Sequence, residues 1–111
     1  MVLRKMGQFD KAEDIYHALL DQINDDKNRV SIYHQLGLIK HDQGKYEEAL
    51  VLYEKSLTIN QITLPPNHPD LVASYINIGS VHYNISNYSK ALSSYEKALE
   101  IQQRSLPLNH P

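Results

Sequence analysis

The sequence repeats itself, and this internal repeat constrains the possible folds more than any other feature. Three blocks each hold an aromatic residue, an alanine three positions later, and then a tyrosine and a leucine at successive intervals of four. The blocks begin at Phe9, Tyr46 and Tyr88, so their spacings are 37 and 42 residues. A period of this length is typical of an array built from one small structural unit.

A second pattern lies between the blocks and indicates two helices in each repeat. A tyrosine, an aliphatic residue and a glycine recur at positions i, i+3 and i+4, first at Tyr33, Leu36 and Gly37 and then at Tyr75, Ile78 and Gly79. This spacing places the three residues on one helix face, where the glycine lets a neighbouring helix approach closely. Apolar residues recur at helical and not at alternating spacing, so the sequence predicts an all-α fold without strands.

Prolines and a glycine mark the ends of these helices. The segment 64–69 contains three prolines, which are excluded from a helix interior, and a similar segment returns at 106–111. Asn67 or His68 is the expected cap of the helix that follows the first of these segments. Gly44 is expected to adopt a left-handed conformation and so to end the helix that precedes Gly44. We predict helices over residues 8–24, 27–42, 45–62, 69–84 and 87–104.

These motifs together resemble the tetratricopeptide repeat (TPR), and the 42-residue period with its proline-rich loop before Asp70 is similar to the kinesin-light-chain subtype. The resemblance covers nearly the whole chain. It implies an α-solenoid of antiparallel helix pairs, a right-handed TPR superhelix of about two and a half repeats. The resemblance also implies where the repeats begin and end: a partial first repeat over 1–24, a second over 25–63, a third over 64–105, and the start of the next loop at 106–111. The partial first repeat holds only the end of its first helix (helix A), through Met6, and its second helix (helix B).

Four positions depart from the family pattern. Ser86 stands where a glycine is usual and Ser56 where an alanine is usual, while Lys40 and His82 occupy a position that is usually more apolar. We expect these residues to weaken the packing of the helices without changing the fold.

The resemblance also implies a binding surface, because the first helix of each such repeat lines a concave groove. The residues carried over to this groove by their spacing are His34, Gln35, Leu38 and His41 in one repeat and Ile76, Asn77, Ser80, Tyr83 and Asn84 in the next. Ser31, Asp42 and Ala73 share the same faces. Asn77 matches an asparagine that family members use to hold the backbone of a bound peptide, and Gln35 is its counterpart. Both amides could instead be solvated or hold a neighbouring loop.

The chemistry of this surface favours one class of ligand. The mapped positions hold no lysine or arginine to clamp a terminal carboxylate, whereas Leu38, Ile76 and Tyr83 suit an extended peptide or a helix with a few apolar anchors. We therefore expect a protein- or peptide-binding scaffold or adapter. The alternative is the regulatory or oligomerising arm of a larger enzyme whose catalytic domain lies outside this chain.

Composition excludes several other partners. A formal net charge of −2 and a pI near 6.3 provide no basic field for nucleic acid or an anionic membrane, and no stretch is apolar enough to be a signal peptide or a transmembrane helix. The chain contains no cysteine, which suits a reducing compartment. We expect a cytoplasmic protein.

Catalysis, cofactors and metals are also not expected. All four glycines belong to the repeat, which leaves none for a phosphate-binding loop, and no nucleophile motif occurs. The six histidines form no metal-binding motif; His34 and His41 share a helix face but lack a third ligand. We therefore predict no enzymatic activity, no cofactor and no metal site.

The two ends of the sequence raise a further expectation. A repeat of this kind buries its apolar face only against its neighbours, and natural arrays finish with a polar capping helix. Neither end of this sequence has such a cap. The exposed apolar flanks would then favour end-to-end self-association.

Overall fold

The structure, a computed structural model, describes the backbone of residues 2–105 and the side chains of residues 7–104. Five α-helices follow one another in this part of the chain, which contains no strand: α1 (Val2–Gln22), α2 (Asp26–Asp42), α3 (Tyr46–Thr63), α4 (Pro69–Asn84) and α5 (Tyr88–Ser105). The predicted all-α helical repeat fold is confirmed. The predicted loop at 106–111 lies outside the described residues.

The bounds of α2 to α5 agree with the prediction to within one residue, but α1 does not begin where expected. A separate helix was expected to end at Met6, whereas one helix continues from Val2 through Gly7 to Gln22. The backbone of Gly7 does not adopt the positive φ that ends a helix, in contrast to Gly44 at φ 77°. Extending a helix through one glycine costs only about 1 kcal/mol, less than starting a new helix requires.

The chain forms two compact units, Met1–Ser56 and Leu57–Pro111, and the division falls within α3. The first unit holds α1, α2 and the first part of α3. The second holds the rest of α3 with α4 and α5. The repeat boundaries after residues 24 and 63 follow the sequence pattern and remain an interpretation of that pattern.

In the first unit, α2 and α3 meet where a tyrosine ring lies against a glycine. Leu36, Ala49 and Tyr53 are fully or almost fully buried. A Cβ atom on Gly37 would lie only 2.5 Å from Cε1 of Tyr53, so no other residue fits at Gly37 unless the ring moves. The predicted role of Gly37 as a site of close helix approach is confirmed.

Between α1 and α2, a partly buried polar group explains one departure from the family pattern. Lys40 Nζ donates to Glu13 Oε2 at 3.0 Å, and Gln43 Nε2 donates to Glu13 Oε1 at 2.9 Å. Burial alone would raise the pKa of Glu13, but these hydrogen bonds outweigh it and hold the pKa below its ordinary value. The structure thus gives Lys40 an ion-pair partner where the sequence pattern predicted only weaker packing.

In the second unit, α4 packs against α5. Leu71 and Val72 of α4 form a buried cluster with Ala98 and Ile101 of α5, and Leu57 and Tyr75 pack against this cluster. Gly79 repeats the arrangement of Gly37, with a Cβ that would lie 2.7 Å from Cε1 of Tyr95. His82 is buried, and its Nδ1 has no hydrogen-bond partner among the described residues, so a polar atom is buried unsatisfied at this usually more apolar position.

Side chains cap the starts of α2 and α4. Asp25 accepts a hydrogen bond from the backbone N–H of Asn28 at 2.8 Å, and His68 Nδ1 accepts from that of Asp70 at 3.1 Å. Of the two residues predicted as the cap of α4, Asn67 and His68, the structure shows His68 in this role. Pro69 then occupies the first turn, where its missing N–H costs nothing.

The ends of α2 and α4 share one motif with different residues. Gly44 follows α2 at φ 77°, and Ser86 follows α4 at φ 64°. In each case the next backbone N–H bonds to a carbonyl five residues back, from Lys45 to Lys40 at 2.8 Å and from Asn87 to His82 at 2.8 Å. Ser86 thus adopts the left-handed conformation for which the family usually has a glycine at this position.

We predict that alanine has different effects at Gly37 and Gly79, the glycines at the two helix seams, where α2 meets α3 and where α4 meets α5. Tyr53 is 1% exposed and has no room to move, whereas Tyr95 is 37% exposed and can rotate outward. Gly37→Ala should therefore lose about 1–2 kcal/mol of unfolding free energy, because overpacking exceeds the gain in helix propensity. Gly79→Ala should change it by less than about 1 kcal/mol. Urea unfolding of the two variants tests this, and equal losses would contradict it.

We predict opposite effects on stability from exchanging residues between the two helix ends. Ser86→Gly should raise the unfolding free energy by about 0.5–1 kcal/mol, because glycine adopts a positive φ without the steric cost that serine bears. Gly44→Ser, the matched control, should lower it by a similar amount. Thermal unfolding followed by circular dichroism measures both changes, and shifts of the same sign would refute the explanation.

Candidate functional site

The nine predicted groove residues all lie on helices, and the structure buries none of them fully. On α2, in the first unit, Gln35 is exposed and His34, Leu38 and His41 are half-buried. On α4, in the second unit, three residues are exposed and two are half-buried; in chain order the five are Ile76, Asn77, Ser80, Tyr83 and Asn84. The structure thus brings the residues together as two sets, one along a helix of each unit.

On the α2 set, His34 lies against the buried tyrosine of the helix seam. The ring centroids of His34 and Tyr53 are 5.9 Å apart at an interplanar angle of 49°. Burial lowers the pKa of His34, and it raises the pKa of Tyr53 to about 12 with a smaller contribution from the charge of Asp42. Both side chains are therefore neutral at neutral pH.

An aromatic pair joins the end of α2 to the start of α3, and a second pair joins the end of α4 to the start of α5. The rings of His41 and Tyr46 are 5.5 Å apart at 70°, and those of Tyr83 and Tyr88 are 5.3 Å apart at 65°. Both are edge-to-face contacts, a favourable geometry for aromatic rings. Tyr83 thus has a packing contact besides its place on the predicted groove face.

The sequence analysis did not predict these aromatic pairs, although the repeat contains a pattern that indicates them. His41 and Tyr83 are 42 residues apart, as are Tyr46 and Tyr88, so an aromatic position recurs at both ends of the turn. Tyr88 and Ile85 are also exposed, which adds apolar area beside Tyr83. The candidate surface of α4 thus extends into the turn that follows it.

On the α4 set, two polar residues lie between two apolar ones along the helix. Ile76 and Tyr83 are exposed, while Asn77 and Ser80 are half-buried between them. The hydroxyl oxygens of Ser80 and Tyr95 are 3.2 Å apart, and either can be the donor. Leu38 occupies the position of Ser80 in the first unit. The Tyr53 hydroxyl there has no hydrogen-bond partner among the described residues.

The part of the chain that the structure describes contains no group of three or more metal-ligating side chains close enough to hold an ion. In the same residues, no helix combines the length and apolarity that crossing a bilayer requires.

Comparison with known proteins shows the family. The model of the tetratricopeptide repeat family matches residues 1–59 and 28–104, and this chain belongs to that family. Such repeats are protein-interaction scaffolds and are typically not catalytic. No curated protein sequence gives a significant match.

Solved structures show the same helical repeat fold at low sequence identity. BtubC (BKLC) from P. vanneervenii is similar over 100% of this chain and 47% of its own, with a TM-score of 0.79 and 23% identity. A kinesin-light-chain-type protein of Podosopora anserina with nearly identical TPR-like repeats is similar over 96% of this chain and 51% of its own, with a TM-score of 0.81 and 21% identity. This chain thus spans about half the length of these proteins.

We predict a specific pH dependence of stability from His34. Because burial lowers the pKa of His34 below its unfolded value, acidification protonates the unfolded chain first. Stability should therefore fall as the pH drops below about 6.5, and His34→Gln should reduce that fall. Unfolding of the parent and the variant at about pH 7.5 and about pH 5.5 measures the difference. His17→Gln, at an exposed position of α1, is the control; a pH dependence unchanged by His34→Gln would contradict the prediction.

Proposed function

We propose that this protein is a non-catalytic scaffold for a partner protein, and that one exposed helix face in each unit, on α2 in the first and on α4 in the second, can bind an extended peptide segment. The observation that carries the proposal is the α4 surface, where exposed Ile76 and Tyr83 flank the half-buried amide of Asn77. Single exposed apolar residues are ordinary, but an aliphatic and an aromatic side chain with an amide between them on one helix face suit peptide recognition.

The amides supply the backbone recognition in this proposal. A side-chain amide donates to a C=O and accepts from an N–H, so one residue can satisfy both groups of an extended peptide unit. Asn77 has this role on α4 and Gln35 on α2. The apolar anchors then select side chains at alternate positions of the peptide.

The charge of the surface decides which part of a partner it binds. None of the nine predicted residues is a lysine or an arginine, so the surface lacks a clamp for a terminal carboxylate. An internal segment of the partner is therefore the proposed ligand. The cysteine-free sequence supports a reducing compartment, and we place the protein in the cytoplasm.

We predict that the proposed residues control the affinity for selected peptides. Peptides of about 12 residues, selected from a random display library on the full chain, are labelled and titrated by fluorescence anisotropy. Asn77→Ala and Tyr83→Ala should each weaken binding about fivefold or more, because a central amide and an aromatic anchor are typical hot spots. Gln35→Ala tests the α2 surface in the same way.

The matched control removes an equally exposed apolar side chain from another helix. Val51 on α3 is 54% exposed and Tyr83 is 58% exposed, so Val51→Ala should leave the affinity unchanged. Circular dichroism checks that every variant keeps its helicity. Equal binding by the parent and by Asn77→Ala and Tyr83→Ala would remove α4 from the site.

We further propose that the chain self-associates through an apolar stripe on α5. Tyr88, Leu92, Tyr95 and Leu99 are spaced by four, three and four residues, and all four are exposed. None of their counterparts 42 residues earlier on α3 is exposed, and one of them, Leu57, packs against the buried cluster of the second unit. The same stripe is therefore suited to burial against another helix.

We predict that sedimentation velocity detects this association at high micromolar concentration, and that Leu92→Ser with Leu99→Ser abolishes it. Replacing these two leucines removes a large part of the apolar area of the stripe. Ile62→Ser, at an isolated and more exposed position of α3, is the control and should not change the association. A monomeric parent chain would refute the proposal.

A further inference from the structure

The surface formed by the end of α4 and the turn that follows it is uncharged. Between Asp70 and Lys90 the sequence contains no lysine, arginine, aspartate or glutamate, although 22% of the residues in the chain are charged. The corresponding residues 29–47 of the first unit include five such side chains. Six of the seven residues 83–89 are exposed. A ligand of this surface is therefore selected by shape and hydrogen bonding and not by charge.

The largest side chains of this surface are two tyrosines in contact with each other. The rings of Tyr83 and Tyr88 are 5.3 Å apart at 65°, and each residue is 58% exposed. In an edge-to-face contact the edge of one ring covers one face of the other, so open ring faces remain. The matching pair of the first unit, His41 and Tyr46, is half-buried. The fold can thus keep this contact without exposing its rings, and packing alone does not explain the exposure of Tyr83 and Tyr88.

The turn between the two tyrosines contains a backbone conformation that is unfavourable for its residue. Ser86 has a φ of 64° and is the only non-glycine residue with a positive φ in the described part of the chain. Gly44, at the corresponding position of the first unit, adopts such a conformation without steric cost. Strained backbone of this kind concentrates at functional sites. Serine adds an exposed hydroxyl that glycine would not provide.

A proline-rich segment has the chemistry that matches this surface. Proline carries no charge and no backbone N–H, and runs of proline adopt an extended helix without internal hydrogen bonds. Such a segment offers apolar rings and free carbonyl acceptors. A surface that binds it needs aromatic faces and hydrogen-bond donors. Tyr83 and Tyr88 provide both, and Ser86 provides a further donor.

We propose that Tyr83, Ser86 and Tyr88 form a subsite for an uncharged, proline-rich segment of the bound partner. Proline rings stack on the exposed faces of the two tyrosines, and the hydroxyl groups donate to carbonyl oxygens of the segment. The subsite lies wholly within the second unit. It rests on the proposed function, because Tyr83 belongs to the α4 face, and it names the class of ligand that this face selects.

The test uses decaproline as the probe. Labelled decaproline and a labelled Gly-Ser peptide of the same length are each titrated with the full chain, and binding is followed by fluorescence anisotropy. Decaproline should bind saturably and at least about tenfold more tightly than the Gly-Ser peptide. Because the surface is uncharged, its affinity should change less than about twofold between about 0.05 M and about 0.5 M NaCl.

Leucine variants distinguish an aromatic subsite from a merely apolar one. Tyr83→Leu and Tyr88→Leu keep a large apolar side chain and a good helix former but remove the ring face, so each should weaken decaproline binding about fivefold or more. Tyr46→Leu, at the position of Tyr88 in the first unit, is the matched control and should leave the affinity unchanged. Ser86→Gly should weaken binding about twofold, although this variant should be more stable than the parent.

The outcomes separate this subsite from the proposed function. The subsite is overturned if decaproline binds no better than the Gly-Ser peptide, if both leucine variants bind as well as the parent, or if Tyr46→Leu weakens binding equally. Equal binding by Ser86→Gly removes Ser86 from the subsite. When library-selected peptides bind and Tyr83→Ala weakens them, a failure with decaproline overturns the subsite alone. If neither decaproline nor any selected peptide binds the chain, both proposals fail.

Discussion

The contact between a tyrosine ring and a glycine is the constraint on which the rest of each unit depends. A ring that lies where a methyl group would otherwise be brings two helices together along their backbones. In the first unit this contact also sets the environment of the proposed binding face, because Tyr53 packs against His34 as well as Gly37. The packing residues and the proposed binding residues of α2 are thus adjacent rows on one helix.

The second unit shows how much this contact can vary without a change of fold. Tyr95 keeps its place against Gly79 but is partly exposed, and its hydroxyl lies beside Ser80. Tyr53 is buried, and Leu38 replaces the serine. A polar residue on the candidate face thus interacts with the seam in one unit, while an apolar residue occupies that place in the other. Ser80 thus connects the packing of α4 and α5 with the candidate surface.

Features that depend on one helix or on the period could be predicted from the sequence, and features that need two helices to meet could not. Gly44 and the cap of α4 follow from local backbone requirements, Gly37 follows from its recurrence in the repeat pattern, and the bounds of four helices follow from proline, glycine and apolar spacing. The pairing of Lys40 with Glu13 was not predictable, because the partners are 27 residues apart on different helices. The placement of the nine face residues on helices was predictable, but their role in binding remains a prediction.

The two units share one architecture of packing residues but carry different surface residues. The seam repeats the same residues, with Tyr33, Gly37 and Tyr53 matching Tyr75, Gly79 and Tyr95. The candidate faces do not, since His34, Leu38 and His41 are matched by Ile76, Ser80 and Tyr83. Residues that hold a fold are restricted by packing, whereas residues on an offset face can change without loss of that packing. Under the proposed function, the chemistry that distinguishes one partner from another resides in these faces, and each face selects a different side chain of a partner.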